Sequence, residues 1–495
     1  MDKSKDIYFM GIAGTGMAAV AGLLKEDGYK VRGSDQKIYP PMSTMLKDLQ
    51  IPVQTPYHPD NIKAKKPDLV VIANSLSRGH AELEYTLDAG IPYTSFAQIL
   101  GETFLSKQES IVVSGTHGKT TTSSLLSHAL FELDADPSFF IGGIPQNFSR
   151  SFRLGNGDFF VLEGDEYDTA FFDKGSKFLH YRPKILILNN IEFDHADIFC
   201  NLEAIEQTFT KLIAKVANPG SILANIDNPG VKNLLTKLNL IDSVTKISCK
   251  GNDKSAYLGI SPPRFCREKR LWTCTVFSKL WGSFQLQSSF GGFHNMENIA
   301  QVLGCLSLLA ERGAIICKPH LIQKILTTFK SVKKRLSPLG KYHGVEVYED
   351  FAHHPTAVKN VINSFRASHP SSRLIVAFEP RNATSRRNTF TEEYGQNFRL
   401  ADIALLGACA VDQRIPDGKR MDTNLLAATI GKTARAFKDN EELMNWILSH
   451  TKAGDSVIFM SSGDFSNIPK KFCAALAKKL PKEGSSLKDM DSLAL

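Results

Sequence analysis

Ile111-Val112-Val113-Ser114-Gly115-Thr116-His117-Gly118-Lys119-Thr120-Thr121-Thr122 is the stretch on which the reading of this chain turns. Three branched apolar residues run into a glycine-broken turn, and residues 123–130 continue as a helix. Strand, tight turn and helix start is the layout of a loop that cradles phosphate. Glycines let backbone N–H groups point inward, and the helix start adds unsatisfied donors and a positive dipole end. Gly115, Thr116, His117, Gly118 and Thr121 form the cradle. Lys119 is placed to reach the outer phosphates and the Thr120 hydroxyl to ligate magnesium. The strict pattern wants a further glycine where Val113 stands, so the loop is a shortened one. The plain alternative is a glycine turn ahead of an ordinary helix, and the company the stretch keeps favours the nucleotide.

The 495-residue length implies about two to four domains. Apolar content of 42% and charged content of 22% are ordinary for a globular chain. The formal charge of +8 rests partly on clusters such as Lys333-Lys334-Arg335 and Lys478-Lys479. Such a bias suits a polyanionic small ligand as well as nucleic acid, and no basic tail accompanies it. Nucleic acid is therefore not expected as a partner. Eight cysteines without CxxC spacing argue against a disulfide framework or a zinc site. No signal-peptide core and no run of about 18 apolar residues is present, so a cytoplasmic protein with no membrane partner is expected. Oligomeric state is not legible.

Upstream, residues 1–107 form a small α/β unit. The strand Ile7-Tyr8-Phe9-Met10 meets Gly11-Ile12-Ala13-Gly14-Thr15-Gly16, then a helix from Met17, then a second strand ending at Asp35. Glycine turn, helix, strand, and an acid about twenty residues on is a Rossmann-like start. The glycines run G-x-x-G-x-G rather than G-x-G-x-x-G, so the turn is expected to take a diphosphate other than a nicotinamide or flavin dinucleotide. A further strand ends in the polar loop of Asn74 and Ser75, which is expected to close over that ligand. Pro92 points to a sheet edge or to a strand start for the following short strand.

Downstream, residues 108–330 form the nucleotide domain. The strand of residues 159–162 runs into Glu163-Gly164-Asp165-Glu166. Acids at the carboxyl end of a strand beside a phosphate loop are where magnesium ligands sit, and Glu163, first out of the strand, is the expected ligand. Asp165 and Glu166 are weaker candidates for the same role, since turn acids are usually only solvated. An almost wholly apolar run, residues 185–188, predicts a central parallel strand. Past it lies Asp194-His195-Ala196-Asp197, with His195 expected to ligate a second cation or orient phosphate. Residues 253–285 read as antiparallel strands decorating the sheet. The stretch His294-Asn295-Met296-Glu297-Asn298 opens a long apolar helix whose polar groups suit a base or ribose.

Residues 331–495 read as a second open parallel sheet with ligand loops at strand ends. Lys334-Arg335-Leu336 is expected to follow a lysine-rich helix. Strand 345–350 ends in Asp350-Phe351-Ala352-His353-His354-Pro355, the proline suiting the first turn of a helix. Arg335, Asp350 and His353 are expected to reach across a cleft toward the nucleotide.

Together, the Gly11–Gly16 turn, Gly115–Thr121, Glu163–Glu166, Asn190–His195, His294-Asn295 with Asn298, and Asp350–Pro355 resemble the ATP-dependent Mur ligases from end to end. The resemblance implies a three-domain architecture. A Rossmann-like N-terminal domain (1–107) binds a UDP-sugar through Gly11, Ala13, Gly14, Thr15, Gly16, Asp35 and Ser75. A central P-loop ATPase-like domain (108–330), a parallel sheet with extra antiparallel strands, binds ATP. A Rossmann-like C-terminal domain (331–495) binds the peptide. It further implies two magnesium ions, one on Thr120 and Glu163 and a second on His195. Asn295 and Asn298 are placed near adenine and ribose, and Lys119, His195, Arg335, Asp350 and His353 at the chemistry. The stretches 163–173, 177–181 and 378–382 are similar to the branch of the family that attaches intact murein tripeptide to UDP-N-acetylmuramate in peptidoglycan recycling. The first domain is more similar to the branch that adds L-alanine. Several members carry a carbamylated lysine downstream of the matching histidine; Thr210 stands there, so carbamylation is not expected. A folylpolyglutamate-synthase-like ligase and a nucleotide-binding scaffold or sensor are the more distant alternatives.

Overall fold

The computed structural model describes residues 2–251 and 253–478; Lys479 and the rest of the 331–495 segment lie outside the described residues. The chain divides into two compact units between Lys333 and Lys334. Residues 1–107 and 108–330 thus fall together in the first unit.

The first unit carries two large sheets. One is wholly parallel, in the order Val53–Gln54, Lys30–Ser34, Asp6–Met10, Leu69–Ile72, Tyr93–Thr94. The strand that Pro92 precedes, Tyr93–Thr94, is at the edge, and Pro92 itself offers only its carbonyl, to the Val70 N–H. The order reverses at Asp6–Met10 and Leu69–Ile72, so the Gly11 turn and the Asn74-Ser75 loop emerge side by side at the switch point where open sheets bind ligands.

The second sheet is centred on Ile185–Leu188, between Glu109–Ser114 and Ile222–Asn225, all parallel. Ile111, Val112, Val113 and residues 185–188 are fully or almost fully buried, each burial being worth about 1.5–3 kcal/mol. Phe159–Gly164 lies on the other side of Glu109–Ser114. The phosphate loop is therefore flanked by Glu163 on one neighbouring strand and by Asn189-Asn190 beyond the other. The 253–285 region differs in part from expectation. Leu258–Ile260 pairs parallel with Thr245–Ser248, and only beyond it do Leu271–Ser278, Arg264–Cys266 and Gly282–Ser288 run antiparallel.

The two sheets are locked together. The helix Thr15–Glu26 lays Gly22 against the ring of Phe152, where no Cβ fits, and Gly101 packs on the carbonyl of His180. Arg150 pairs with Glu26 at 2.5 Å.

In the second unit Val345–Asp350, Asp455–Met460, Arg373–Phe378, Ile403–Leu406 and Ala434–Ala436 are parallel, and Ser337–Tyr342 adds an antiparallel edge. The expected lysine-rich helix is corrected. Helix Pro319–Thr328 holds one lysine, and Lys330, Lys333 and Lys334 lie in the segment after it. Among the described residues no helix is long and apolar enough to cross a membrane.

Candidate active site

The phosphate loop folds as its glycines demand. Gly115 (φ 136°) and Gly118 (φ 83°) occupy backbone regions that a Cβ disfavours, and Gly118 caps helix Lys119–Glu132. The loop is braced from the next strand. Asn190 Oδ1 accepts the His117 N–H at 2.7 Å, and Thr116 Oγ1 accepts from the Glu192 N–H at 2.8 Å. Behind it, Asn298 Oδ1 accepts from Thr122 Oγ1 at 3.2 Å, and Asn298 Nδ2 donates to Asn295 Oδ1 at 3.3 Å. Asn298 is buried and backs the loop, where the sequence placed it near the ribose.

Lys119 Nζ donates to Gly115 O at 2.5 Å and to both oxygens of Glu166, at 2.9 and 3.1 Å. Glu166 is only 3% exposed. Asp165 accepts from Lys177 Nζ at 2.6 Å. Neither is a merely solvated turn acid: each is committed to a lysine. The rise of strand Phe159–Gly164 holds Glu163 still inside the strand, one residue before its end. Its Oε2 accepts from Thr120 Oγ1 at 3.0 Å and its Oε1 from the Gly142 N–H at 2.6 Å. Gly142 thus lies directly beneath Glu163, and Gly143 packs against Thr120 and Val332. A carboxylate and a hydroxyl 3.0 Å apart are the hard oxygen donors magnesium takes. His195 holds a left-handed backbone (φ 54°), lies against the Tyr167 ring with centroids 4.4 Å apart and planes tilted by 59°, and keeps a buried Nδ1 without a hydrogen-bond partner. The residues present fit a divalent cation.

On the other sheet, Asp35 Oδ2 accepts the Ala13 N–H at 2.9 Å. The acid that would hold a dinucleotide ribose instead ties down the glycine turn, in keeping with its departure from G-x-G-x-x-G. Gly11 (φ 85°) passes Ala73 too closely for a side chain, and Gly14 and Thr15 face solvent. Ser75 is exposed in the neighbouring turn. Glu82, missed in the sequence, is fully buried and accepts from Ser34 Oγ, Asn61 Nδ2 and the His58 N–H.

The two turns share a wall. Gly16 lies against the rings of Phe96 and Phe140. Lys177 Nζ stands over Phe96 at 5.9 Å and reaches Asp165, whose neighbour Glu166 holds Lys119. Asn74 Nδ2 crosses from the first sheet to Asp168 Oδ1 at 2.9 Å. Asp165, Glu166 and Lys177 are functional candidates that the sequence underweighted. The only signal available was that two lysines, Lys174 and Lys177, follow the acids within residues 163–177.

In the second unit Asp350 is buried, and its two oxygens accept the Leu336 and Ala352 N–H groups at 2.6 and 2.7 Å. Burial pushes its carboxyl up, against the pull of the Arg335 guanidinium and the two amides. Asp350 thus shapes the Arg335-Leu336 turn. Arg335 lies over the Phe351 ring at 5.0 Å. His353 Nδ1 donates to Phe351 O at 3.0 Å, which makes Nε2 the basic nitrogen. His354 Nδ1 accepts the Thr356 N–H and caps the helix that Pro355 opens.

Glu297, in the first turns of helix Phe293–Glu311, is pushed up to about 7, first by burial and then by Asp227 and Glu192. Its folded value exceeds the ordinary 4.5, so the protonated form favours folding. That contribution is complete below 4.5 and is lost as pH rises through 7. Glu297→Gln is therefore expected to melt higher than the parent at pH 8 and alike at pH 4.5. The side chain keeps some solvent access, which limits the effect to about 1 kcal/mol. Thermal melts across that range check it.

Three family models cover the chain: "Mur ligase family, catalytic domain" over residues 6–108, "Mur ligase middle domain" over 113–306, and "Mur ligase, glutamate ligase domain" over 334–463. The UDP-N-acetylmuramate–L-alanyl-γ-D-glutamyl-meso-2,6-diaminoheptandioate ligase of Escherichia coli K12 is 34% identical across 96% of this chain and 98% of its own. A murein peptide ligase from Psychrobacter arcticus superposes with a TM-score of 0.69 at 30% identity, over 96% of this chain and all of its own. The UDP-N-acetylmuramate–L-alanine ligase of Desulfitobacterium hafniense is 29% identical over 93% of this chain and 98% of its own. A braced phosphate loop, a paired acid and hydroxyl beside it, and similarity running the length of the chain converge: it belongs to the Mur ligase family and is an ATP-dependent ligase.

Proposed function

We propose that this ligase joins the lactyl carboxylate of UDP-N-acetylmuramate to the free amine of L-alanyl-γ-D-glutamyl-meso-diaminopimelate, in cytoplasmic peptidoglycan recycling. The observation that supports it is the shared wall between the Gly11–Gly16 and Gly115–Lys119 turns, two polyphosphate cradles in one unit. Residues 1–107 take the sugar nucleotide, 108–330 ATP and 331–495 the peptide. A lactyl carboxylate oxygen attacks the γ-phosphorus of ATP and ADP leaves. The amine then attacks the acyl carbon of the resulting acyl phosphate, and phosphate departs. Lys119 and the loop N–H groups neutralise and orient the transferred phosphoryl group. Thr120 and Glu163 would hold one magnesium and His195 a second; the ion offsets charge on the phosphoryl oxygens.

His353 Nε2 takes the proton the amine loses. A base that must be deprotonated gives the acidic limb of a pH–rate profile. His353→Gln is expected to lose that limb in kcat/KM, and an unchanged profile removes the role.

Addition of L-alanine is the second reading, favoured by the 29% relative. ATP-dependent phosphate release with UDP-N-acetylmuramate plus tripeptide, but not plus free L-alanine, is the expected result. The reverse pattern establishes the second reading.

A further inference from the structure

Lys177 is the cation between the two cradles for which the chemistry above has no use. Its side chain is 11% exposed and is gripped by Asp165 at 2.6 Å, under the rings of Phe96 (5.9 Å) and Tyr167 (5.4 Å). One of those rings touches Gly16 at the sugar-nucleotide turn. The carboxylate it holds adjoins Glu166, the partner of Lys119.

Its support is rigid. Lys177 ends a hairpin, Asp168–Ala170 with Asp173–Ser176. The hairpin is tied at its base by Ser176 Oγ to Glu166 O (2.5 Å), along its length by Thr169 Oγ1 to Gly175 O (2.8 Å), and across to the first sheet by Asn74 to Asp168. The Lys177 N–H itself donates to Tyr167 O at 3.0 Å. A buried ammonium costs desolvation energy that a single ion pair barely offsets. A surface lysine here would serve packing as well.

The pair is asymmetric. Asp165 is 38% exposed while Lys177 is not. A second carboxylate can approach from the Asp165 side and take over the ammonium, with Asp165 turning to solvent.

We propose that Lys177 is the seat of the substrate carboxylate. Its ammonium receives the carboxylate of the sugar-nucleotide acid and holds it, by hydrogen bond alone, in line with the phosphoryl group presented by Lys119. As that carboxylate becomes an acyl phosphate and then a tetrahedral oxyanion, the ammonium stays beside the oxygen that carries the charge. Lys177 forms no covalent bond and gives up no proton. This assignment rests on UDP-N-acetylmuramate being the sugar nucleotide.

Calorimetric binding of two ligands to the full-length protein, without ATP, tests it. UDP-N-acetylmuramate carries the lactyl carboxylate and UDP-N-acetylglucosamine lacks it. Lys177→Met is expected to weaken the first at least thirty-fold and the second less than three-fold, while Lys177→Arg keeps most of the affinity for the first. The double variant Lys177→Met with Asp165→Asn removes the stranded carboxylate, so a folded protein is available for the same comparison. Equal loss for both ligands, or no loss for either, overturns the assignment in favour of a structural lysine. If the unaltered protein binds neither ligand, the proposed substrate falls and the assignment with it. If it binds UDP-N-acetylmuramate normally, only the role of Lys177 is in question.

Discussion

Lys119→Ala lowers ATP-dependent phosphate release about a thousand-fold. The lysine sits at the bottom of the cradle, with its charge aimed where the outer phosphates come to rest. Removing one preorganised charge from such a site costs about two to three orders of magnitude in rate. Stability must be separated from chemistry, because the substitution strands Glu166 in a nearly closed environment. Losing one partner of a buried pair destabilises by about 3–5 kcal/mol. The companion variant Lys119→Met with Glu166→Gln removes both charges. It is expected to recover the melting temperature and to remain as inactive. Recovery of turnover in the double variant would move the chemistry away from Lys119.

Gly118→Ala abolishes nucleotide binding while leaving most of the protein folded. At φ 83° an alanine carries a penalty of about 1–2 kcal/mol. Its Cβ would also drive into the Asn298 carboxamide and come within 3.0 Å of Asn189 Nδ2. Both neighbours are pinned, Asn298 by Thr122 and Asn295, Asn189 by Thr122 at 3.1 Å. The loop itself must therefore move, which turns its N–H groups away from the phosphates. Titration with ADP and magnesium is expected to show at least a hundred-fold loss of affinity with a melting temperature only a few degrees lower. Unaltered affinity would mean the turn tolerates the shift.

The strands and turns were legible because local chemistry specified them. The unbroken apolar run 185–188 has no polar face and so lies inside a parallel sheet. Pro92 lacks a donor, and the strand after it is an edge. Gly115 and Gly118 are glycines because their φ values demand it. The pairing of side chains was not legible, because it depends on which loops meet. Nothing in the order of residues 163–177 says that Glu166 closes on Lys119 and Asp165 on Lys177. Asn298 fits a ribose contact by its place at a helix start, yet the helix passes behind Gly118 and spends the carboxamide there. Asp35, expected at the sugar nucleotide, spends its carboxylate on the N–H groups of Ala13 and Gln36.

The grip of Glu166 on Lys119 makes the arrival of ATP an exchange. The protein supplies its own counter-charge, at 2.9 Å, to the lysine that later meets the triphosphate. Inorganic phosphate or sulfate, offering little more than that carboxylate already gives, has small advantage in displacing it. A triphosphate brings several charges and engages the backbone donors at once, so it wins the competition that simpler anions lose. Selectivity for the cosubstrate is in this way set by an internal rival, and neutralising that rival would make the loop less discriminating among anions.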